Sequence, residues 1–192
     1  SYQQEIFEIC GFKFSGEEYV LDNERNGNLW NIDKSKKVIG LNTGCGEKWP
    51  TRLWKTEYWI ELSHLLKSEG YEVLLLGGEQ EDEKNQRIAA LGNALYFGYY
   101  PFKQFVNLVN QCNLVVSVVT FGAHIALGLK KKVVLLNNVF NKSEFHLYGR
   151  GRVVEPKKPC KCYFQSKCTN KDYFCMDTLS PKKVFLTIKE VI

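Results

Sequence analysis

Residues 37–54 read "KVIGLNTGCGEKWPTRLW". Val38, Ile39 and Leu41 form a short apolar run of strand character, and beyond Trp54 the apolar residues fall into helical spacing. Between the two lie Thr43, Gly44, Gly46, Lys48 and Arg52. The glycines let the backbone turn tightly and present N–H groups, and the basic residues add positive charge ahead of a helix N-terminus. Such a gap is either an anion cradle or a solvated basic turn, and the residues of the loop leave both open. It is not a P-loop: no Ser or Thr follows Lys48 and the G-x-x-x-x-G spacing is missing. Nor is it G-x-G-x-x-G, because the third glycine is absent, which argues against a dehydrogenase-type dinucleotide domain.

Outward from this stretch the chain keeps a regular beat over residues 38–137. "YEVLLLGG" (71–78), "ALYFG" (94–98), "NLVVSV" (113–118) and "KKVVLLN" (131–137) are further short runs rich in Val and Leu. Helical spacing separates them. Tyr58, Trp59, Leu62, Leu65 and Leu66 share one face, with Gly70 as a stop beyond. Pro101 suits the first position of another helix, which carries Phe105, Leu108 and Val109 inward. Ser180 and Pro181 open a last helix with Val184, Ile188 and Val191 on its apolar face. Continuous apolar strands alternating with helices predict a parallel sheet covered on both faces. The fold class is therefore α/β, a doubly wound Rossmann-like sheet of five or six strands, whose ligand loops follow the carboxyl ends of the strands.

The bulk properties narrow the class. The chain has 192 residues, 44% hydrophobic and 24% charged, with a formal charge of +5. That is an ordinary globular composition, and no apolar run spans a bilayer. No secretory leader is visible and seven cysteines form an odd, scattered set, so a cytoplasmic location is expected. The basic residues are dispersed and carry no recognised nucleic-acid motif, so no nucleic-acid partner is expected. Lysine clusters at 130–132 and 157–158 read as solvated faces or as a peripheral membrane contact. Residues 1–36 are mixed and charged, and read as an interdomain or N-terminal linker; 37–192 form the Rossmann-like domain.

Three further stretches carry candidate chemistry. In "LLGGEQEDE", Gly78 and Glu79 follow a strand directly, where an acidic residue can grip ribose hydroxyls. Glu81 and Asp82 are read as first-turn acids that favour the helix dipole. In "SVVTFGAHIALGL", Thr120 and Gly122 precede or open a helix whose N-terminus is a second anion site, and His124 sits in its first turn. The segment "PCKCYFQSKCTNKDYFCMD" spaces its thiols C-x-C-x5-C-x6-C. Cys160, Cys162, Cys168 and Cys175 read as loop-closing thiols, with structural zinc as the sharper alternative; C-x-C is an unusual zinc knuckle, and no metal is expected.

In order and spacing these stretches resemble the C-terminal half of glycosyltransferase family 9, the ADP-heptose:lipopolysaccharide heptosyltransferases and their relatives. The likeness runs from about Val38 to the end. It is carried by Asn42-Thr43-Gly44 with Arg52-Leu53-Trp54, by Gly77-Gly78-Glu79, by Leu147-Tyr148-Gly149, and by Pro159-Cys160-Lys161-Cys162 with Cys168 and Cys175-Met176. The family's Asp-Thr-Gly turn, with His three residues on, stands here as Val119-Thr120-Phe121 followed by Gly122-Ala123-His124. The acid has become Val119 and the glycine Phe121, which puts a ring at the approach of a diphosphate. The resemblance implies a GT-B architecture of two Rossmann-like halves, this chain supplying the donor half. It implies an inverting transfer from an ADP-heptose-like nucleotide-diphosphate sugar to a glycolipid or saccharide acceptor in lipopolysaccharide or related glycan synthesis. The catalytic base would lie in the other half, and no cofactor is implied. Thr43, Arg52 and Thr120 would hold the phosphates and Glu79 the ribose, while His124 supports the turn; Lys48, as loop charge, and Gly44, Gly78 and Gly122 complete the substrate-binding candidates. A nucleotide-binding module that has lost transfer chemistry is the alternative, and peripheral attachment to the inner membrane is an expectation of the same kind.

Overall fold

A computed structural model describes residues 1–21, 30–46, 48–162 and 165–192. Five strands, β1 (Val38–Asn42), β2 (Glu72–Leu76), β3 (Leu114–Val118), β4 (Lys132–Leu136) and β5 (Gly151–Val154), form one sheet. All neighbouring pairs are parallel, in the order β2-β1-β3-β4-β5. Every residue of β1, β2 and β3 is buried, because helices cover both faces of the sheet. Alternate side chains feed opposite cores: Ile39, Leu41, Val73, Leu75 and Val116 enter one, and Val38, Leu74, Leu76 and Val115 the other.

The first core is closed by α2 (Thr56–Ser68), with α3 (Asp82–Gly92) packed on it, and by α6 (Pro181–Val191). Trp59, Leu62 and Leu66 of α2 are completely buried, each worth about 1.5–3 kcal/mol. The chain leaves α2 through Gly70, whose positive φ of 84° suits a residue without Cβ. Ser180 caps α6 by accepting from the Lys183 N–H, with Pro181 next, as its sequence predicts. The second core lies under α4 (Phe102–Asn110) and α5 (Phe121–Gly128). Pro101 is the cap residue of α4 rather than its first helical position, and Phe105 is only half-buried.

The run 94–98 differs from its expected strand. It makes a single parallel bridge, Leu95 to Leu74, with the Leu95 N–H donating to Val73 O at 2.8 Å and Leu95 O accepting from Leu75 at 2.9 Å. Asn93 and Gly98, both at positive φ, bend the chain on either side and leave room for one rung only.

The segment expected as a linker has structure of its own where it is described; residues 22–29 lie outside the described set. A short helix, α1 (Tyr2–Ile9), buries no residue. The chain after it is tied down: both Arg150 terminal nitrogens donate to the Glu18 carboxylate at 2.9 Å, and Tyr148 OH donates to Glu17 O at 3.1 Å. Trp30 and Ile32 enter the second core, where Trp30 Nε1 donates to Asn107 Oδ1 at 2.8 Å. Among the described residues no helix is long and apolar enough to cross a membrane.

Gly40, in the middle of the central strand, has no room for a side chain. An added Cβ would stand 2.7 Å from Cys112 Sγ and 2.9 Å from Leu76 Cδ1. Gly40→Ala is therefore expected to cost about 1–3 kcal/mol, read as a lower urea midpoint at unchanged slope. An unaltered midpoint would show that this face of the sheet can yield.

Candidate functional site

The strand order reverses between β1 and β3. The chain leaves β1 toward β2 on one side, and after α4 it crosses back to lay down β3 on the other. The loops beyond these two strand ends therefore part, and the gap between them is the usual ligand position in an open parallel sheet. A cleft of about 410 Å³ occupies it.

The end of β1 forms the floor. Asn42 Nδ2 donates to Ser117 Oγ at 2.9 Å and to Thr120 Oγ1 at 3.0 Å, and the two hydroxyls lie 3.0 Å apart. Thr120 is the residue before α5, but its hydroxyl is spent on this network. No side chain caps the helix; the Ala123 N–H donates to Thr120 O at 3.1 Å, which leaves the N–H groups of Phe121 and Gly122 uncapped at the cleft. Gly122 packs so closely on Asn42 that an added Cβ would lie 2.9 Å from Nδ2. A residue with a Cβ at this position would press on the Asn42 side chain that forms the floor.

Arg52 forms the wall. It is 8% exposed, reaching across from the turn Pro50–Arg52. One terminal nitrogen donates to Val119 O and the other to Cys45 O at 2.9 Å, so the guanidinium ties the loop after β1 to the loop after β3. It also lies 5.5 Å from the Phe140 ring centroid. Among the described residues no carboxylate pairs with it, and its buried Nε has no partner. Burial lowers its pKa from the ordinary arginine value, but an arginine so placed stays charged.

The far side comes from the loop after β2. The Glu81 carboxylate accepts from the Gly78 N–H at 3.0 Å and lies against Gly44, where an added Cβ would collide with it. Behind it Lys84 Nζ donates to Thr43 O at 2.9 Å, and burial lowers the lysine pKa.

Of the residues singled out in the sequence, Gly44, Arg52, Gly78, Thr120 and Gly122 converge on this cleft. The other four do not line it. Thr43 is wholly buried, its hydroxyl donating to Asn85 Oδ1 at 2.6 Å. Lys48 and Glu79 are exposed beside the cleft rather than in it. His124 points away, into a separate, mostly apolar cavity of about 190 Å³ beneath Tyr2 and Gln3 of α1. There its Nδ1 meets Tyr19 OH at 3.1 Å, and desolvation lowers the imidazole pKa although the residue keeps solvent contact. Glu81, read from the sequence as a helix-dipole acid, lines the cleft instead of Glu79. Its signal was an acid three residues after the N-cap, the spacing at which a carboxylate reaches back to the N-cap N–H, here that of Gly78. Asn42, quoted only as part of a motif, and Phe105, read as an inward-facing helix residue, also line the cleft.

The four late cysteines are free thiols that fall into two pairs. Cys162 Sγ lies 3.7 Å from Cys168 Sγ, and Cys160 lies beside Cys175. Hydrogen bonds from the Thr169 hydroxyl and N–H hold the Cys162 thiol down at about 7. Among the described residues no group of three or more His, Cys, Asp or Glu could hold a metal ion. The segment braces the site from behind: Thr51 Oγ1 donates to Gln165 O at 3.1 Å, and Asn138 Nδ2 donates to Thr51 O at 2.8 Å.

Solved structures share this fold. Escherichia coli ADP-heptose LPS heptosyltransferase II is 22% identical, with a TM-score of 0.68 over 85% of this chain and 49% of its own. E. coli heptosyltransferase WaaC with ADP is 17% identical, with a TM-score of 0.60 over 81% of this chain and 44% of its own. A family 9 glycosyl transferase from Veillonella parvula DSM 2008 is 18% identical, with a TM-score of 0.65 over 83% and 47%. The chain thus spans about half the length of the solved proteins it matches. No curated protein matches it. The model of glycosyltransferase family 9 (heptosyltransferase) matches residues 10–174, most of the chain, and on that match the chain belongs to glycosyltransferase family 9.

Proposed function

We propose that this chain is the C-terminal, donor-binding half of an inverting, heptosyltransferase-like glycosyltransferase, with residues 1–36 leading in from the other half. The observation that carries the reading is the buried Arg52 guanidinium. Among the described residues it has only carbonyl dipoles and a ring for company, in a cleft that also receives the uncapped N-terminus of α5. A buried charge without a counter-ion is costly, and a diphosphate would supply that counter-ion. The solved WaaC complexes with ADP and with ADP-2-deoxy-2-fluoro heptose support the same class of donor.

In this reading an acceptor hydroxyl attacks the anomeric carbon from the face opposite the nucleotide. The C–O bond to the diphosphate breaks as the new glycosidic bond forms. The chain's own part is to hold the leaving diphosphate and to meet its growing charge with the helix N-terminus and Arg52. The base that takes the hydroxyl proton belongs to the other half, so the chain alone is expected to bind donor nucleotide without transferring sugar. A glycolipid or saccharide acceptor in lipopolysaccharide or related synthesis fits the family. Cytoplasmic work at the inner membrane, touched through the lysines at 130–132 and 157–158, completes the proposal.

Calorimetric titration with ADP and with inorganic pyrophosphate tests it. Arg52→Ala is expected to weaken both ligands by about 1.5–3 kcal/mol, the worth of a hydrogen bond to a charged group. Arg52→Lys should recover part of the loss, and an unchanged affinity in the alanine variant would remove Arg52 from the site. The two acids separate the sequence reading from the cleft geometry. Glu81→Gln is expected to weaken ADP by about 1 kcal/mol while sparing pyrophosphate, and Glu79→Gln to behave as wild type. The reverse ranking would return the ribose contact to Glu79.

A further inference from the structure

The cleft has a second character that phosphate binding does not use. Helices α4 and α5 each begin with a phenylalanine, and the two rings meet at the mouth of the cleft. Phe102 and Phe121 are 52% and 66% exposed, with centroids 5.7 Å apart and planes 26° from parallel. Phe105, one turn further along α4, lines the cleft together with Phe121. Neither Phe102 nor Phe121 belongs to the buried cores, so packing of the domain does not account for them. A near-parallel aromatic pair left in water presents a flat apolar face that a planar partner can cover.

This face adjoins the polar end of the same cleft. Phe121 is the first residue of α5, directly after Thr120 and directly before Gly122, so its ring stands beside the open N–H groups. The cleft is thus divided between an anion-receiving end, with Arg52 and the helix N-terminus, and a flat aromatic end. A ligand that matches both joins a diphosphate to a planar ring. We infer that the Phe121–Phe102 stack is the platform on which the nucleobase of the donor lies, an inference that rests on the cleft being a nucleoside-diphosphate site. Stacking of this kind accepts any base, because every base has a π-face, and it favours the larger purine over a pyrimidine.

The test titrates ADP, UDP and inorganic pyrophosphate into the wild type, Phe121→Ala, Phe102→Ala and Phe121→Trp. Both rings are largely exposed, so the melting temperature is expected to hold in each variant. Each alanine variant should bind ADP roughly tenfold more weakly, leave pyrophosphate unchanged and narrow the preference for ADP over UDP. Phe121→Trp should restore ADP binding. Unchanged ADP affinity in both alanine variants overturns the platform while leaving the diphosphate site standing. Equal losses for ADP and pyrophosphate overturn it as well, since the rings would then only shape the phosphate end. A wild-type chain that binds neither ADP nor pyrophosphate overturns the underlying reading and the platform with it.

Discussion

The arrangement of the cleft depends on one buried cation. Arg52 spans the point where the sheet changes direction, holding the carbonyls of Cys45 and Val119. These belong to loops that the topology sends apart, and without a bridge each would leave a polar group facing the gap. Arginine suits the task because its planar fork can serve two acceptors at once and because it stays charged when buried. The same placement leaves its charge without a carboxylate partner among the described residues, which is what the proposed diphosphate would supply. In the proposed reading, structural support and ligand attraction are two consequences of one side chain.

The parallel sheet was legible because strands covered on both faces must be apolar throughout. What could not be read was where pairing stops. Leu95 has the residues of a strand, but Asn93 and Gly98 turn the backbone on either side of it. Of the residues singled out in the loops after β1 and β3, Gly44, Arg52, Thr120 and Gly122 line one cleft, because glycine, threonine and arginine stand there at adjacent strand ends. Side-chain direction was not legible. Gly122 and His124 are two residues apart, about 200° around a helix; one faces Asn42 and the cleft, the other the cavity beneath α1. Likewise Glu79 follows the strand most closely, yet a 3₁₀ turn brings Glu81 back over Gly44 and Gly78.

The segment before the sheet and the cysteine segment after it act on the site from opposite sides. Residues 17–19 are fastened to Arg150, Tyr148 and His124, which holds α1 over the second cavity. That cavity shares Val119 and Phe140 with the surroundings of Arg52. On the other side Gln165 and Asn138 fix Thr51, the neighbour of Arg52 in sequence. The guanidinium is thus positioned by parts of the chain distant in sequence, which is why its geometry could not be inferred from the loop alone.

The central claim is that the gap between the ends of β1 and β3 receives a diphosphate. Amide chemical shifts followed during titration with inorganic pyrophosphate test it most directly. The account predicts that the largest changes fall on the N–H groups of Phe121, Gly122, Gly44 and Gly46, with the Arg52 Nε–H signal moving along the same binding curve. Changes confined instead to α1 and the cavity around His124, with the α5 N-terminus silent, would contradict it.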